Sequence, residues 1–184
     1  MPLTALKPVA GPRDRLRDAT VSAHQRLDGL LAGGLADIDT YHGYLCGMHR
    51  FISDAEATLG EPPLRSLWLS GDLVALGLPP LPPLGRVTAI ADEDERLGWR
   101  YVIAGSSMGA RVLVRDARAL GFTADHGAGF LARHAIDGEW PGIVRRIGDV
   151  ADADREARMC AGALAAFAAA DTCLRHALFL DPTP

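Results

Sequence analysis

The sequence predicts an all-α fold in a single domain, and three observations carry that reading. Apolar residues recur at three-and-four spacing over several long stretches. No run alternates apolar and polar residues with the period of two that a half-buried strand requires. No Asn-Gly or Asp-Gly pair sits between such runs, and Asp137-Gly138 marks a turn only.

The elements follow in order. Residues 1–12 contain three prolines and read as a flexible N-terminal arm ahead of one helical domain over residues 13–180. From Asp14 onward, Leu16, Thr20, Ala23, Leu27, Leu30 and Leu31 form the apolar stripe of a first helix, which Gly33-Gly34 ends. Asp39 or Thr40 can cap a second helix, whose apolar face runs from Tyr41 through Tyr44, Met48 and Phe51 to Ala55, with Gly60 and Pro62 as its stop. A short helix spans Pro63 to about Leu76. The stretch LGLPPLPPLG at 76–85 has four prolines in ten residues, so it reads as an extended connector packed along the same domain. Asp92 to Arg96 open a long helix that runs to about Leu120, with Gly121 as its stop. Helices over 123–134, 139–147 and about 152–179 complete the inventory, and no internal repeat is visible.

Composition narrows the function classes. A chain of 184 residues is long enough to bury a core without metals or disulfides. Apolar residues at 48% and charged residues at 23% are those of an ordinary soluble domain. The net charge is only −4 and the basic residues are scattered, which argues against nucleic acid as a partner. Cys46, Cys160 and Cys173 are odd in number, lack metal-ligand spacing and sit in apolar stretches, as expected of reduced thiols in a cytoplasmic protein. No stretch reads as a signal peptide, and the most apolar segment, 161–170, is shorter than the ~20 residues of a membrane span. Without a coiled-coil seam the expected state is a monomer.

The informative segment is YVIAGSSMGARVL, residues 101–113, an apolar helical run with two glycines at its centre. Each glycine costs a helix interior roughly 1 kcal/mol against alanine. Gly105 and Gly109 share one face, about 5–6 Å apart, with Ser106 beside the first and Ala110 beside the second. Such a strip suits close helix packing, and it also suits a flat, rigid ligand laid against bare backbone. The first helix offers a partner for the second reading. LRDATVSAHQRLD, residues 16–28, puts His24 on the flank of the apolar stripe, Asp28 one turn later and Arg17 two turns earlier. An imidazole is a common iron ligand, and a carboxylate at i+4 can fix its tautomer. The remaining histidines, His42, His49, His126, His134 and His176, form no His-Glu-x-x-His pair, so a protein-only zinc or di-iron site is not expected.

LRDATVSAHQRLD and GWRYVIAGSSMGARVL (98–113), in an all-helical chain of this length, resemble the haem oxygenase family, in particular its bacterial branch of phytochrome-associated and iron-acquisition members. RSLWLSGDLVALG (65–77) and GALAAFAAADTCL (162–174) resemble it more thinly. The resemblance implies a multi-helix fold with haem sandwiched between a proximal and a distal helix. It implies that His24 is the iron ligand, that Gly105, Ser106 and Gly109 form the catalytic distal surface, and that Asp28 stands behind the imidazole. Arg17 would pair with a propionate, and Tyr101 and Phe167 would contact the macrocycle. Haem (iron protoporphyrin IX) would be both cofactor and substrate, cleaved by O2 and external electrons to biliverdin, carbon monoxide and ferrous iron. Implied partners are a ferredoxin or flavoprotein reductase, for which Arg13, Arg15, Arg111 and Arg115 offer positive charge, and a bacterial phytochrome as acceptor of biliverdin. Three positions depart from familiar family patterns: Ser106 stands where animal members have aspartate, Ala104 where the bacterial branch often has glutamate, and Ala110 where many have glycine. A haem carrier or sensor of the same fold, without catalysis, is the alternative, and a helical relative that binds no haem is a third.

Overall fold

A computed structural model describes residues 11–85 and 89–178. The expected arm over residues 1–12 therefore falls almost entirely outside the described residues, as does the expected helix end at Phe179. Seven helices form among the described residues: α1 (Pro12–Leu30), α2 (Ile38–Leu59), α3 (Arg65–Leu76), α4 (Glu93–Ala119), α5 (Gly129–His134), α6 (Trp140–Gly148) and α7 (Ala153–Ala177). No strand is present among them, only isolated bridges at Thr123.

Local chemistry sets the helix ends. Pro12, assigned to the arm by its composition, instead opens α1, where a missing N–H costs nothing. Asp37 caps α2, and not Asp39 or Thr40: its carboxylate accepts from the Thr40 N–H at 2.7 Å. α2 and α3 end on Gly60 and Gly77 in the left-handed region, φ 63° and 67°. Asp92 and Asp152 cap α4 and α7 through the second and third N–H groups of each.

The helix expected over 123–134 is shorter, and the reason is local. Gly121 and Gly127 take φ of 95° and 78°, and Thr123 and His126 exchange backbone hydrogen bonds across a tight turn. The helix starts only at Gly129, where the buried Asp72 of α3 accepts from the Gly129 and Phe130 N–H groups at 2.8 Å each. Glu56 of α2 serves the start of α3 in the same way, accepting from Arg65 N at 2.7 Å and Leu64 N at 3.1 Å.

α7 is the hub on which α1, α2 and α4 pack. By length and composition it is apolar enough to cross a membrane, yet it carries Met159, Ala163, Ala166, Phe167, Ala170, Cys173 and Leu174 into the core. The α4–α7 pair is the most extensive contact and closes at two glycines. A Cβ on Gly98 would lie 2.1 Å from the Met159 carbonyl oxygen, and one on Gly162 would lie 2.1 Å from that of Glu95. Backbone meets backbone there, so no side chain fits. In contrast, α1 and α4 each pack on α7 without packing on one another, which leaves a slot between them.

Candidate functional site

A cavity of about 500 Å³ fills that slot, within the usual size range of small-molecule sites. α1 contributes His24, Leu27 and Asp28, α4 contributes Tyr101, Gly105, Ser106 and Gly109, and α7 contributes Phe167. Seven of the eight residues singled out in the sequence therefore meet in one place. Met108 and Val112 also line it and are about half exposed, so the cavity carries solvent-exposed apolar side chains.

His24 is held at the edge of this cavity by two contacts. Its Nδ1 lies 2.8 Å from Asp28 Oδ2, one turn along α1, so Nε2 is the nitrogen left for a metal. Its ring meets the buried Phe167 edge-on, centroids 5.7 Å apart at 69°. The imidazole side chain is 60% exposed, which is what a ligand entering the slot needs. Together these contacts orient one nitrogen and leave it reachable.

On the opposite wall the two glycines differ. A Cβ on Gly109 would meet no atom within 4 Å, so nothing in the protein requires its bareness. A Cβ on Gly105 would lie 3.3 Å from the Trp140 ring, which also packs on Tyr101 with centroids 5.6 Å apart and carries the Arg13 guanidinium 5.9 Å above it. The close helix packing that small residues allow belongs to Gly98 and Gly162 in this fold. Gly105 makes room for an aromatic ring, and Gly109 leaves open space.

Ser106 is tied into the protein. Its Oγ lies 2.8 Å from the Ile103 carbonyl oxygen and 2.8 Å from His134 Nε2. With one hydroxyl proton between two acceptor directions, either Ser106 donates to His134, or His134 donates to Ser106 while the hydroxyl serves Ile103. His134 is 1% exposed and stacks on Phe130. Burial first, and the nearby Arg65 charge second, push its pKa down to about 4, against the pull of Asp137. It is neutral at pH 7. Sequence reasoning passed over His134 because it lies 28 residues beyond Ser106 and belongs to no motif; only the turn at 121–128 brings the two together.

Arg17 is not brought to the cavity. Its side chain is 70% exposed, with Nε 3.8 Å from Asp18. Of the other arginines considered for docking, Arg15 forms a bidentate pair with Glu156, and Arg111 donates from Nε to the Ala135 carbonyl at 3.0 Å. Among the described residues no cluster of His, Cys, Asp and Glu could hold a metal ion by itself. A metal at His24 must bring most of its own ligands, as a porphyrin iron does.

No family model and no curated protein matches the sequence. Among solved structures, the chain is similar to the NO- and CO-bound heme oxygenase of Neisseria meningitidis, with a TM-score of 0.77 and 24% identity over 96% of both chains. The all-helical architecture is that of the heme oxygenase fold.

Proposed function

We propose that this chain, which has the heme oxygenase fold, is a haem oxygenase: it binds haem in the slot between α1 and α4 and cleaves it oxidatively to biliverdin, carbon monoxide and ferrous iron. The observation that carries the proposal is that one cavity has an oriented, exposed imidazole on one wall and the clash-free surface of Gly109 on the other. Bound there, haem supplies an iron that activates O2 once an external ferredoxin or flavoprotein has reduced it.

The chain's own residues do the rest. His24 Nε2 holds the iron, with Asp28 fixing the Nδ1–H tautomer and Phe167 fixing the ring plane. Gly109 admits O2 close to α4, while Trp140 fills the surface over Gly105. Were a macrocycle bound there, the room at Gly109 and the Trp140 ring over Gly105 would make the two parts of this wall unequal in access. Ser106 and the neutral His134 hold and reorient a proton beside that surface, a task that needs a group able both to donate and to accept. Tyr101 flanks the site through its contact with Trp140. Arg17, two turns before His24 on α1, lies outside the cavity beside Asp18, and it serves a propionate only by leaving that exposed pair. Biliverdin then passes to an acceptor, for which a bacterial phytochrome is one fitting class.

Titration with hemin tests the binding half. A 1:1 Soret shift that His24→Ala abolishes is expected; no shift, or one indifferent to that change, removes the site. Adding ascorbate or a reductase in air tests the chemistry. Loss of the Soret band with a bile-pigment spectrum is expected, and Trp140→Ala should broaden the set of biliverdin isomers. A stable oxy or ferric spectrum would instead identify a haem carrier.

A further inference from the structure

A second cavity, of about 650 Å³, opens on a different face of α4, between α3, α4 and α6. Four guanidinium groups line it, Arg65, Arg100, Arg145 and Arg146, against two carboxylates, Glu61 and Glu139. Arg65 is the anomaly among them. It is only 6% exposed, its Nη2 is shared by Asp137 and Glu139, and its buried Nε–H has no acceptor. A buried donor left unpaired is unfavourable, and structures normally avoid it. Arg100 donates from Nε to Glu61 at 2.7 Å in a partly buried pair and also lies 3.7 Å from Glu93, whereas the exposed Arg146 lies 3.6 Å from the same Glu93 in a looser, solvent-facing pair. The α6 N-terminus, with Gly138, Pro141 and Gly142, forms part of the wall and adds the positive end of a helix dipole.

We propose that this cleft binds a small organic phosphate, with its phosphate group between Arg65 and the arginines of α4 and α6. Guanidinium groups approach from three helices. A carboxylate, planar and with two oxygens, is satisfied by one such fork, whereas a tetrahedral phosphate presents oxygens in several directions at once. The volume exceeds that of a bare ion, and Ile103, Pro141 and Ile143 offer apolar wall for an organic body. Glu139 is half exposed and shares Arg65, so it is the carboxylate that the phosphate displaces.

The test is independent of haem. Isothermal titration of the haem-free chain at constant ionic strength uses inorganic phosphate, phenyl phosphate and succinate. Saturable binding of both phosphates is expected, with phenyl phosphate about tenfold tighter and succinate at least tenfold weaker than phenyl phosphate. The exposed double change Arg145→Ala/Arg146→Ala should weaken phenyl phosphate by about tenfold or more without altering the helical circular dichroism. Glu139→Gln should tighten it by freeing Arg65. Absence of saturable phosphate binding, inorganic phosphate as tight as phenyl phosphate, succinate as tight as either, or indifference to both variants would each overturn the proposal.

Discussion

A methyl group added at Gly109 meets no atom within 4 Å, so Gly109→Ala relieves a helix-interior glycine without a clash. The haem-free chain should gain up to about 1 kcal/mol, read as a higher unfolding midpoint. The same methyl projects into the slot, so hemin oxidation should slow. A variant that is both more stable and fully active would show that the open surface at Gly109 has no catalytic use. His134 makes a second residue-level prediction. Its pKa of about 4 lies below the ordinary 6.5, so the fold prefers the neutral ring. The unfolded chain therefore takes up the proton first on acidification. The stabilisation is complete above pH 6.5 and is lost as the pH falls towards 4, amounting to about 2 kcal/mol between pH 7 and pH 5. Urea unfolding of the wild type and of His134→Asn at those two pH values checks this: the variant should lack that part of the acid sensitivity, and equal slopes would refute the burial argument.

Among the helices, the crossing of α4 and α7 at Gly98 and Gly162 is the least forgiving contact. A Cβ at either site would lie 2.1 Å from a carbonyl oxygen, so Gly98→Ala or Gly162→Ala must separate the two helices and should cost about 3 kcal/mol. Denaturant unfolding measures this, and a neutral result would mean that the crossing is looser than 2.1 Å implies. This contact also shows what the sequence could not reveal. The long helices were legible because an amphipathic stripe repeats within one segment, as from Leu16 to Leu31. Gly98 and Gly162 lie 64 residues apart, and neither belongs to a local pattern, so the small-residue packing suspected at Gly105 and Gly109 turned out to reside elsewhere. Asp37 and Asp39 both satisfy the cap pattern, and only the geometry of the Thr40 N–H separates them. The helix start at 129 depends on Asp72 of another helix, which no window around residue 123 contains. His24 and Asp28 were readable because i and i+4 share a helix face, whereas the His134 partner of Ser106 requires the tertiary fold.

Across the whole molecule, these two cavities are linked by a short run of polar side chains with one step too long for a hydrogen bond, since His134 Nδ1 has no hydrogen-bond partner. Arg65 at the arginine cleft pairs with Asp137; Asp137 Oδ2 lies 3.7 Å from His134 Nδ1; and His134 Nε2 reaches Ser106 in the slot between α1 and α4. Burial is the larger cause of the low His134 pKa, and the Arg65 charge is the next. An anion seated against Arg65 offsets that charge at the far end of the chain. The burial contribution is untouched, because α4, α5 and Phe130 still enclose the ring. Saturating phenyl phosphate should therefore move the His134 titration upward, still short of its ordinary value, and because such coupling is reciprocal, protonation of His134 should tighten phosphate binding. Imidazole NMR titration of the haem-free chain, with and without phenyl phosphate, reads the first effect. The Arg145→Ala/Arg146→Ala double variant separates it from bulk ionic strength, since it should lose the shift along with the binding. Phosphate that binds while the His134 titration stays fixed would show that the cleft and the slot act independently, and that the protonation of His134 is set by burial alone.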